Sequence, residues 1–490
     1  MRKLELYGWH VEDLSSELLW ILQHCAVNGP LLPNLKTLRL PHVTRQFLPF
    51  IPLVLSPRIT TIDITFNEPG VSDLPMAIIA STITTLPTLC PNLREIELFS
   101  LPRDPMITAA VSGMFLASNR NNLLSIYVDS PLTEEAREVI YKLPNLHTLS
   151  LIIGRDTSSP PVALPNLIDL TIEYDQDDRW LHMFRGATLG KLERVTFRSK
   201  SKQIGDFLET FEAVALTTSI PATLSTFAFY TSRPWRPNYR SLLPFTQLED
   251  LAIDSSCKRG CSSTIDDDII TDMARAMPKL QCLHLGGLPC QTPGGVTAKG
   301  LAALARYCPH LSILCIHFRA ASFNPPSIPG VVPGNGPTIP QEDCALTSLR
   351  VGKIPVQEES TLMVALSLLR IFPRLHHIRY HDQRWKKVAD AIHLSKQLAD
   401  HSSKEPSLHP PRSKVNDTSP RGHTRDYLTK KRSGVPEHSS FMPTITLFCI
   451  HLVATSFNGT EYGESRTVER QTSYSKDHAY YVQRAIAHGV

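Results

Sequence analysis

The chain of 490 residues is 42% hydrophobic and carries a formal net charge of +4 at neutral pH. This small surplus lies after residue 395 and argues against a nucleic-acid-binding protein, because phosphate binding needs a basic stripe. The first residues, "MRKLELYGWHVEDL", are too polar for a signal peptide, and the longest apolar stretch, "MPTITLFCIHLVATSF", is too short and too polar to span a bilayer. We therefore expect a protein of the cytoplasm or nucleus, with no nucleic-acid or membrane partner.

One short motif recurs along most of the chain. In "PNLREIEL" the apolar residues Leu93, Ile96 and Leu98 have the spacing L-x-x-L-x-L, and motif positions are numbered here from the first of them. Thirteen such motifs begin at Leu35, Ile59, Leu93, Leu123, Leu146, Leu167, Leu192, Leu224, Leu248, Leu280, Leu311, Leu346 and Leu375. Successive motifs start about 21 to 35 residues apart, which is the period of stacked solenoid repeats. Met1, Leu4 and Leu6 also fit, which indicates that the chain begins inside a repeat.

Each motif predicts a short strand whose side chains alternate between two faces. In the motif of Leu93, positions 1, 4 and 6 turn inward, whereas Glu95, Glu97 and Phe99 turn outward. Strands of successive repeats are expected to pair in parallel, and parallel pairs need a crossover, which helices can supply. Candidate helices with apolar residues at helical spacing cover residues 11–26, 133–143, 205–216, 266–277, 297–308 and 360–372.

Helix boundaries are marked by capping residues and by proline. Thr133, Asp266 and Thr297 stand where N-caps belong, because their side chains can accept a hydrogen bond from the first turn. In "VTAKGLAALARYCPHLSILCIHF" the helix is predicted to end at Cys308, since Pro309 cannot continue it. The chain then turns into the next strand.

These elements predict an α/β fold, a leucine-rich-repeat solenoid or horseshoe with a parallel sheet on its concave side and helices on its convex side. The solenoid covers residues 1–392 and is expected to be truncated at its N-terminus. Residues 393–440 are rich in Ser, Pro and charge, so they predict a disordered linker that buries too little apolar area to offset chain entropy. Residues 441–490 show no motif and are expected to be poorly ordered.

The segments "IDDDIITDMARAMPKLQCLHLGG" and "VTAKGLAALARYCPHLSILCIHF" resemble the cysteine-containing leucine-rich repeats of F-box proteins, and the Pro-rich, irregular repeats resemble fungal members. The resemblance covers about residues 1–392. It implies that the repeats hold a substrate while an F-box docks onto the adaptor of a cullin-RING ubiquitin ligase. No F-box-like segment precedes the first motif, so an adaptor is expected as a partner only if an upstream F-box exists. The alternative is a repeat scaffold or inhibitor unconnected with ubiquitin.

No catalytic constellation is visible in the sequence. It has no G-x-S-x-G elbow, phosphate-binding glycine loop or H-E-x-x-H pair, so we expect a protein that is not an enzyme and has no cofactor. The nearest approach to a zinc site is Cys257, Cys261, Cys282, His284 and Cys290. The C-x-x-x-C spacing is only loosely finger-like, so loop and strand positions are the favoured interpretation and no metal is expected. The acidic run that begins at Asp266 is likewise better explained as a helix start than as a cation site.

The outward motif positions define the expected binding surface, because a concave parallel sheet places them on one continuous face. We expect a protein partner to bind there. The candidate residues are Arg39, Asp63, Glu95, Glu97, Tyr127, Asp129, Glu173, Arg194, Arg198, Tyr230, Asp250, Asp254, His284, His317, Arg350 and Arg379. They run from an acidic and aromatic stretch through a mixed one to a more basic one, which favours a partner with a complementary charge gradient.

Overall fold

The computed structural model describes most of the chain between residues 2 and 402. Its longer gaps are residues 6–20, 67–74, 154–161, 175–183, 201–206, 256–264, 287–294 and 324–343, and residues 403–490 lie outside it. The chain divides into two units, Met1–Asp417 and Thr418–Val490, and every described residue belongs to the first. Most of the candidate helix at 11–26, most of the expected linker and the whole of 441–490 therefore lie outside the described residues.

The described part is built on one open sheet of fourteen strands. They are β1 Lys3–Glu5, β2 Thr37–Leu40, β3 Thr61–Thr65, β4 Glu95–Phe99, β5 Ser125–Pro131, β6 Thr148–Ile153, β7 Asp169–Tyr174, β8 Arg194–Ser199, β9 Thr226–Thr231, β10 Asp250–Ser255, β11 Cys282–Leu285, β12 Ile313–Ile316, β13 Ser348–Val351 and β14 His377–Tyr380. Their order in the sheet is their order in the chain, and neighbours are parallel. All thirteen predicted motifs form strands, and the partial motif at Met1 forms the first one. The predicted leucine-rich-repeat fold is confirmed.

The helices of the described part lie in segments between these strands, except the last, which follows β14. They are α1 Ile51–Val54, α2 Met76–Leu89, α3 Pro105–Ala117, α4 Glu134–Ile140, α5 Phe207–Ala215, α6 Ile220–Thr223, α7 Asp267–Ala276, α8 Ala298–Tyr307, α9 Thr361–Ile371 and α10 Arg384–Ser402. Short 3-10 helices cover Leu48–Phe50 and Tyr239–Leu242. The predicted helices at 133–143, 205–216, 266–277, 297–308 and 360–372 correspond to α4, α5, α7, α8 and α9. Helix α10 crosses residue 392, where we placed the end of the repeats.

The same hydrogen-bond pattern starts most strands. The backbone N–H groups at motif positions 2 and 3 both donate to the position 2 carbonyl of the preceding repeat, as when Arg94 and Glu95 donate to Thr60 at 2.8 and 3.0 Å. Leu124 and Ser125 then donate to Arg94 at 2.8 and 3.0 Å. Because one carbonyl accepts both bonds, each repeat fixes the register of the next.

The core lies on one side of the sheet, between the strands and the helices. Motif positions 1, 4 and 6 point into it, so Leu93, Ile96 and Leu98 are buried, and the buried side chains of the helices belong to the same cluster. Burying one such side chain stabilises the fold by roughly 1.5–3 kcal/mol. At the last repeats, Trp385 of α10 is fully buried and its ring packs edge-on against Phe318 at 5.7 Å.

The acidic run before α7 joins two repeats. Asp266 caps α7 as predicted, accepting from Asp268 N and Ile269 N at 3.1 and 2.9 Å. Asp267 instead reaches the next repeat, where it accepts from Thr297 N at 2.7 Å, Thr297 Oγ1 at 2.6 Å and Gly300 N at 3.0 Å. A Cβ on Gly300 would lie 2.6 Å from Asp267 Oδ1, so only glycine leaves room for this contact. Asp266 therefore caps α7, and Asp267 connects α7 to α8 through its hydrogen bonds to the next repeat.

Candidate binding face of the sheet

The outward side chains of the strands form the face opposite the core, called here the open face. It consists of motif positions 3, 5 and 7, which alternate with buried positions, as in the pattern of β4. Fifteen of the sixteen residues predicted to bind a partner lie within the strands at these outward positions, whereas His317 follows β12 and is only 6% exposed. Their placement agrees with the sequence, and their role in binding remains a prediction.

The strand register arranges the open face in columns that run from repeat to repeat. The central column, at motif position 5, is Glu5, Arg39, Asp63, Glu97, Tyr127, Ser150, Thr171, Thr196, Ala228, Ala252, His284, Cys315, Arg350 and Arg379. A second column, at position 3, includes Glu95, Asp169, Arg194 and Asp250. A third column runs through Glu173, Arg198, Tyr230 and Asp254.

Ion pairs across neighbouring strands use many of the charged side chains in the early and middle repeats. Arg39 Nη1 lies 3.1 Å from Glu5 Oε1, and Arg39 Nε lies 3.8 Å from Asp63. Arg194 Nε lies 3.0 Å from Asp169 Oδ2. Such half-exposed pairs contribute about 0–1 kcal/mol each, so they order the side chains more than they stabilise the fold.

Glu173 is an acid of the open face that pairs with two cations. Its Oε1 lies 3.6 Å from Arg103 Nη2 and also pairs with Lys200. Two cations thus hold one carboxylate, and little of its charge is left for a partner.

Asp129 supports the fold rather than the surface. Its carboxylate accepts hydrogen bonds from Ser100 N and, at 2.9 Å, from Leu101 N. Ser100 has φ 54°, a left-handed conformation that non-glycine residues seldom adopt. Burial raises the pKa of Asp129, and the two backbone hydrogen bonds oppose this shift. The carboxylate therefore holds the turn after β4.

Two tyrosines bring aromatic surface to the open face. The ring of Tyr127 lies 4.3 Å from the ring of Phe99, centroid to centroid. Burial raises the pKa of both Tyr127 and Tyr230, while the charge of Arg198 lowers it, so both phenols are neutral at physiological pH. Phe99 was not among the predicted binding residues, although its outward motif position was recognisable.

Small side chains form a groove in the middle of the open face. The central column from β6 to β10 contains only Ser150, Thr171, Thr196, Ala228 and Ala252. Ser150, Thr171 and Ala228 are no more than 6% exposed although they point away from the core, because longer side chains stand on either side. The sequence prediction did not include these residues, because small side chains carry no charge or aromatic ring that marks a binding site.

Histidine, cysteine and charged groups gather in the later repeats. His284 Nε2 lies 3.1 Å from the carbonyl oxygen of Gly286. Burial lowers the pKa of His284, and the nearby Asp254 carboxylate opposes this. Burial raises the pKa of the Cys282 thiol to about 11 and that of Cys315 to about 12, so both are poor nucleophiles at neutral pH.

Metal binding finds no support in the described residues. Cys282 and His284 lie two residues apart on β11, while Cys257, Cys261 and Cys290 lie outside the described residues. Within the described part of the chain, no group of three or more His, Cys, Asp or Glu side chains is arranged to hold a metal ion.

A depression of about 400 Å³ lies beside the first turn of α3. Three of its four polar residues have structural partners: Asp104 caps α3, Thr133 caps α4, and Arg103 pairs with Glu173, while Thr108 is the fourth. The depression therefore presents no nucleophile paired with a base. Among the described helices, none has the length and apolarity to cross a membrane.

No family model and no curated protein matches this sequence. Among solved structures, the leucine-rich repeat-containing protein LegL7 from Legionella pneumophila is 12% identical, with a TM-score of 0.31 over 67% of this chain and 98% of that chain. The complex of Rad7 and Elc1 in yeast is 13% identical, with a TM-score of 0.29 over 76% of this chain and 82% of that chain. Similarities this weak say nothing about function. The class of protein, a leucine-rich-repeat solenoid, follows from the chain's own fourteen-stranded sheet.

Proposed function

We propose that this chain is a non-catalytic protein-interaction module that binds a protein partner on the open face. The observation that carries the proposal is the sheet itself, whose outward side chains stand in register over fourteen strands on the side away from the core. A surface of this kind is the usual binding site of repeat proteins. Tyrosine and arginine, the side chains that most often dominate protein interfaces, stand side by side on it at Arg198 and Tyr230.

The finer proposal is that the partner is a substrate and that the chain resembles the substrate-recognition part of an F-box receptor of a cullin-RING ubiquitin ligase. Its support is the likeness of the repeats around α7 and α8 to cysteine-containing repeats. Cys308 in such a repeat donates through Sγ to the carbonyls of Ala274 and Met277, both at 3.6 Å, and so joins two repeats. The alternative is a scaffold or inhibitor with no connection to ubiquitin. The described cysteines are free thiols, which suits the cytoplasm or nucleus.

The test of the face uses full-length chain as bait in extract of its native cells. Glu95 and Glu97, neighbours on β4, are replaced by lysine together, and the matched control is Glu138→Lys on the exposed surface of α4. Partners that bind the open face should be lost from the first variant and retained by the control, as measured by quantitative mass spectrometry. If both variants capture the same proteins in the same amounts, binding lies elsewhere.

The same purification separates the two finer proposals. Recovery of a ligase adaptor and a cullin with the chain, together with ubiquitination of a captured partner, supports the receptor. Recovery of partners without these subunits supports the scaffold or inhibitor.

A further inference from the structure

The third column of the open face ends in an acid that lacks a cation. Along it stand Glu173, Arg198, Tyr230 and Asp254 on successive strands. Glu173 has two cationic partners, whereas Asp254 forms no ion pair with any described residue. Its Oδ1 atom is shielded from solvent and, in the described part of the chain, accepts no hydrogen bond. This oxygen has lost hydration without gaining a partner.

Aromatic rings stand on both sides of Asp254. Tyr230 is its register partner on β9, so the two Cα atoms are about 4.8 Å apart, the spacing of paired strands. On the other side comes Gly286, whose N–H donates to Ile253 O at 2.8 Å and whose φ of +97° favours glycine. The ring of His317 lies over this glycine, since a Cβ there would be 3.0 Å from His317 Cδ2. The ring of His317 therefore takes up the space that a side chain at position 286 would need.

The groove of small side chains runs beside this acid. It extends from Tyr127 on β5 to His284 on β11, which are six strand spacings apart, or roughly 29 Å. An extended peptide rises about 3.3 Å per residue, so roughly nine residues would fill that length. The second and third columns stand on either side of this row of small side chains, so an extended chain can lie along it.

We propose that the groove binds an extended segment of a partner protein and that a lysine or arginine of this segment pairs with Asp254 between Tyr230 and His317. The inference rests on the proposed function and names the chemistry of its partner. A cation there gains a charge-assisted hydrogen bond from the carboxylate and a cation–π contact from the tyrosine ring. Arg198, the register partner of Tyr230, disfavours a second positive charge next to the first, so one cation is accommodated rather than a basic run. A neutral or acidic residue at that position leaves the carboxylate unpaired.

The test uses randomised twelve-residue peptides displayed on phage and selected against the full-length chain. Selected peptides are synthesised and their affinity is measured by fluorescence polarisation for the wild type, Asp254→Asn and the control Asp272→Asn on helix α7. We expect the peptides to share one lysine or arginine, and Asp254→Asn to weaken binding by tenfold or more while Asp272→Asn changes it less than twofold. Replacing the peptide's cation by methionine should remove the effect of Asp254→Asn, because the two changes delete the same contact.

The melting temperature of Asp254→Asn controls for folding and should not fall below that of the wild type, since no described residue hydrogen-bonds to the Asp254 side chain. Failure to select any peptide, or a loss smaller than tenfold, overturns the inference. A further variant, Tyr127→Ala, separates this outcome from failure of the proposed function. If peptides bind Tyr127→Ala more weakly but bind Asp254→Asn as well as the wild type, they use the open face, and only the inference about Asp254 fails. If neither variant weakens binding, the peptides do not bind the open face, and the proposed function fails as well.

Discussion

Asp129 and Asp254 occupy the same motif position in two repeats, but their carboxylates differ in their hydrogen bonds. Asp129 accepts from the backbone of Ser100 and Leu101, whereas Asp254 has an oxygen with no donor in the described part of the chain. The sequence predicted both as outward acids. It could not separate them, because the donors to Asp129 come from a turn in the preceding repeat, whose conformation the motif does not specify.

This difference predicts unequal effects of the same substitution. Asp129→Ala removes two hydrogen bonds to a charged acceptor and should destabilise the fold by about 2–4 kcal/mol. Asp254→Ala removes none and should not lower the stability by more than about 0.5 kcal/mol. Thermal denaturation followed by circular dichroism measures both. Equal losses in the two variants would show that Asp129 is not the support of its turn.

The raised pKa of Asp250 predicts that the stability of the fold depends on pH. Burial, assisted by the charge of Glu249, raises the pKa of Asp250 above its usual 3.8. The folded state then binds the proton more tightly than the unfolded state, so this contribution to stability is present at low pH and is lost as the pH rises through the folded pKa. Asp250→Asn should therefore raise the melting temperature at pH 7, and its advantage should shrink as the pH falls towards 3.8.

Asp382 provides the control, because its pKa is shifted in the opposite direction from that of Asp250. Hydrogen bonds from Arg384 lower the pKa of Asp382, so its contribution is present at neutral pH and is lost as the pH falls through the folded pKa. Asp382→Asn should lower the melting temperature at pH 7. A fall for Asp250→Asn at pH 7 would contradict the account of Asp250.

At the level of elements, amphipathic segments with clear caps were predictable and others were not. Helices α7 and α8 follow Asp266 and Thr297, as the sequence indicated. Helix α2 was not marked as a candidate, since "MAIIASTITTLPTL" is apolar on most sides, rich in β-branched residues and contains Pro87. Helix α3 could have been found from Asp104 followed by Pro105, an N-cap with proline at the first helical position.

The bridge between α7 and α8 predicts a ranking of the three aspartates in the acidic run. Asp267→Ala removes three hydrogen bonds to the next repeat and should cost about 2–4 kcal/mol. Asp266→Ala removes one cap and should cost about 0.5–2 kcal/mol. Asp268 is exposed and lies 3.4 Å from Lys299, so Asp268→Ala should cost less than about 1 kcal/mol. Urea denaturation measures the loss of unfolding free energy in each variant. Equal losses in all three would show that Asp267 does not connect the two repeats.

For the whole molecule, repetition made the fold predictable. Thirteen motifs in one spacing determine strand direction, register and the buried face, because a shift of one residue would turn every apolar side chain outward. The groove and the ion pairs of the open face were harder to predict from the sequence. Its groove consists of small residues that carry no chemical signal of their own, and its ion pairs join strands that are 24 or more residues apart in the chain.

The central claim is that a protein binds the open face, and photo-crosslinking tests it most directly. A benzoylphenylalanine side chain is placed at Glu95 on the open face in one full-length variant and at Glu138 on α4 in another, since both positions are exposed. After irradiation in native cells, we expect a crosslinked partner from position 95 and none from position 138. A partner that crosslinks from position 138 and not from position 95 would contradict it.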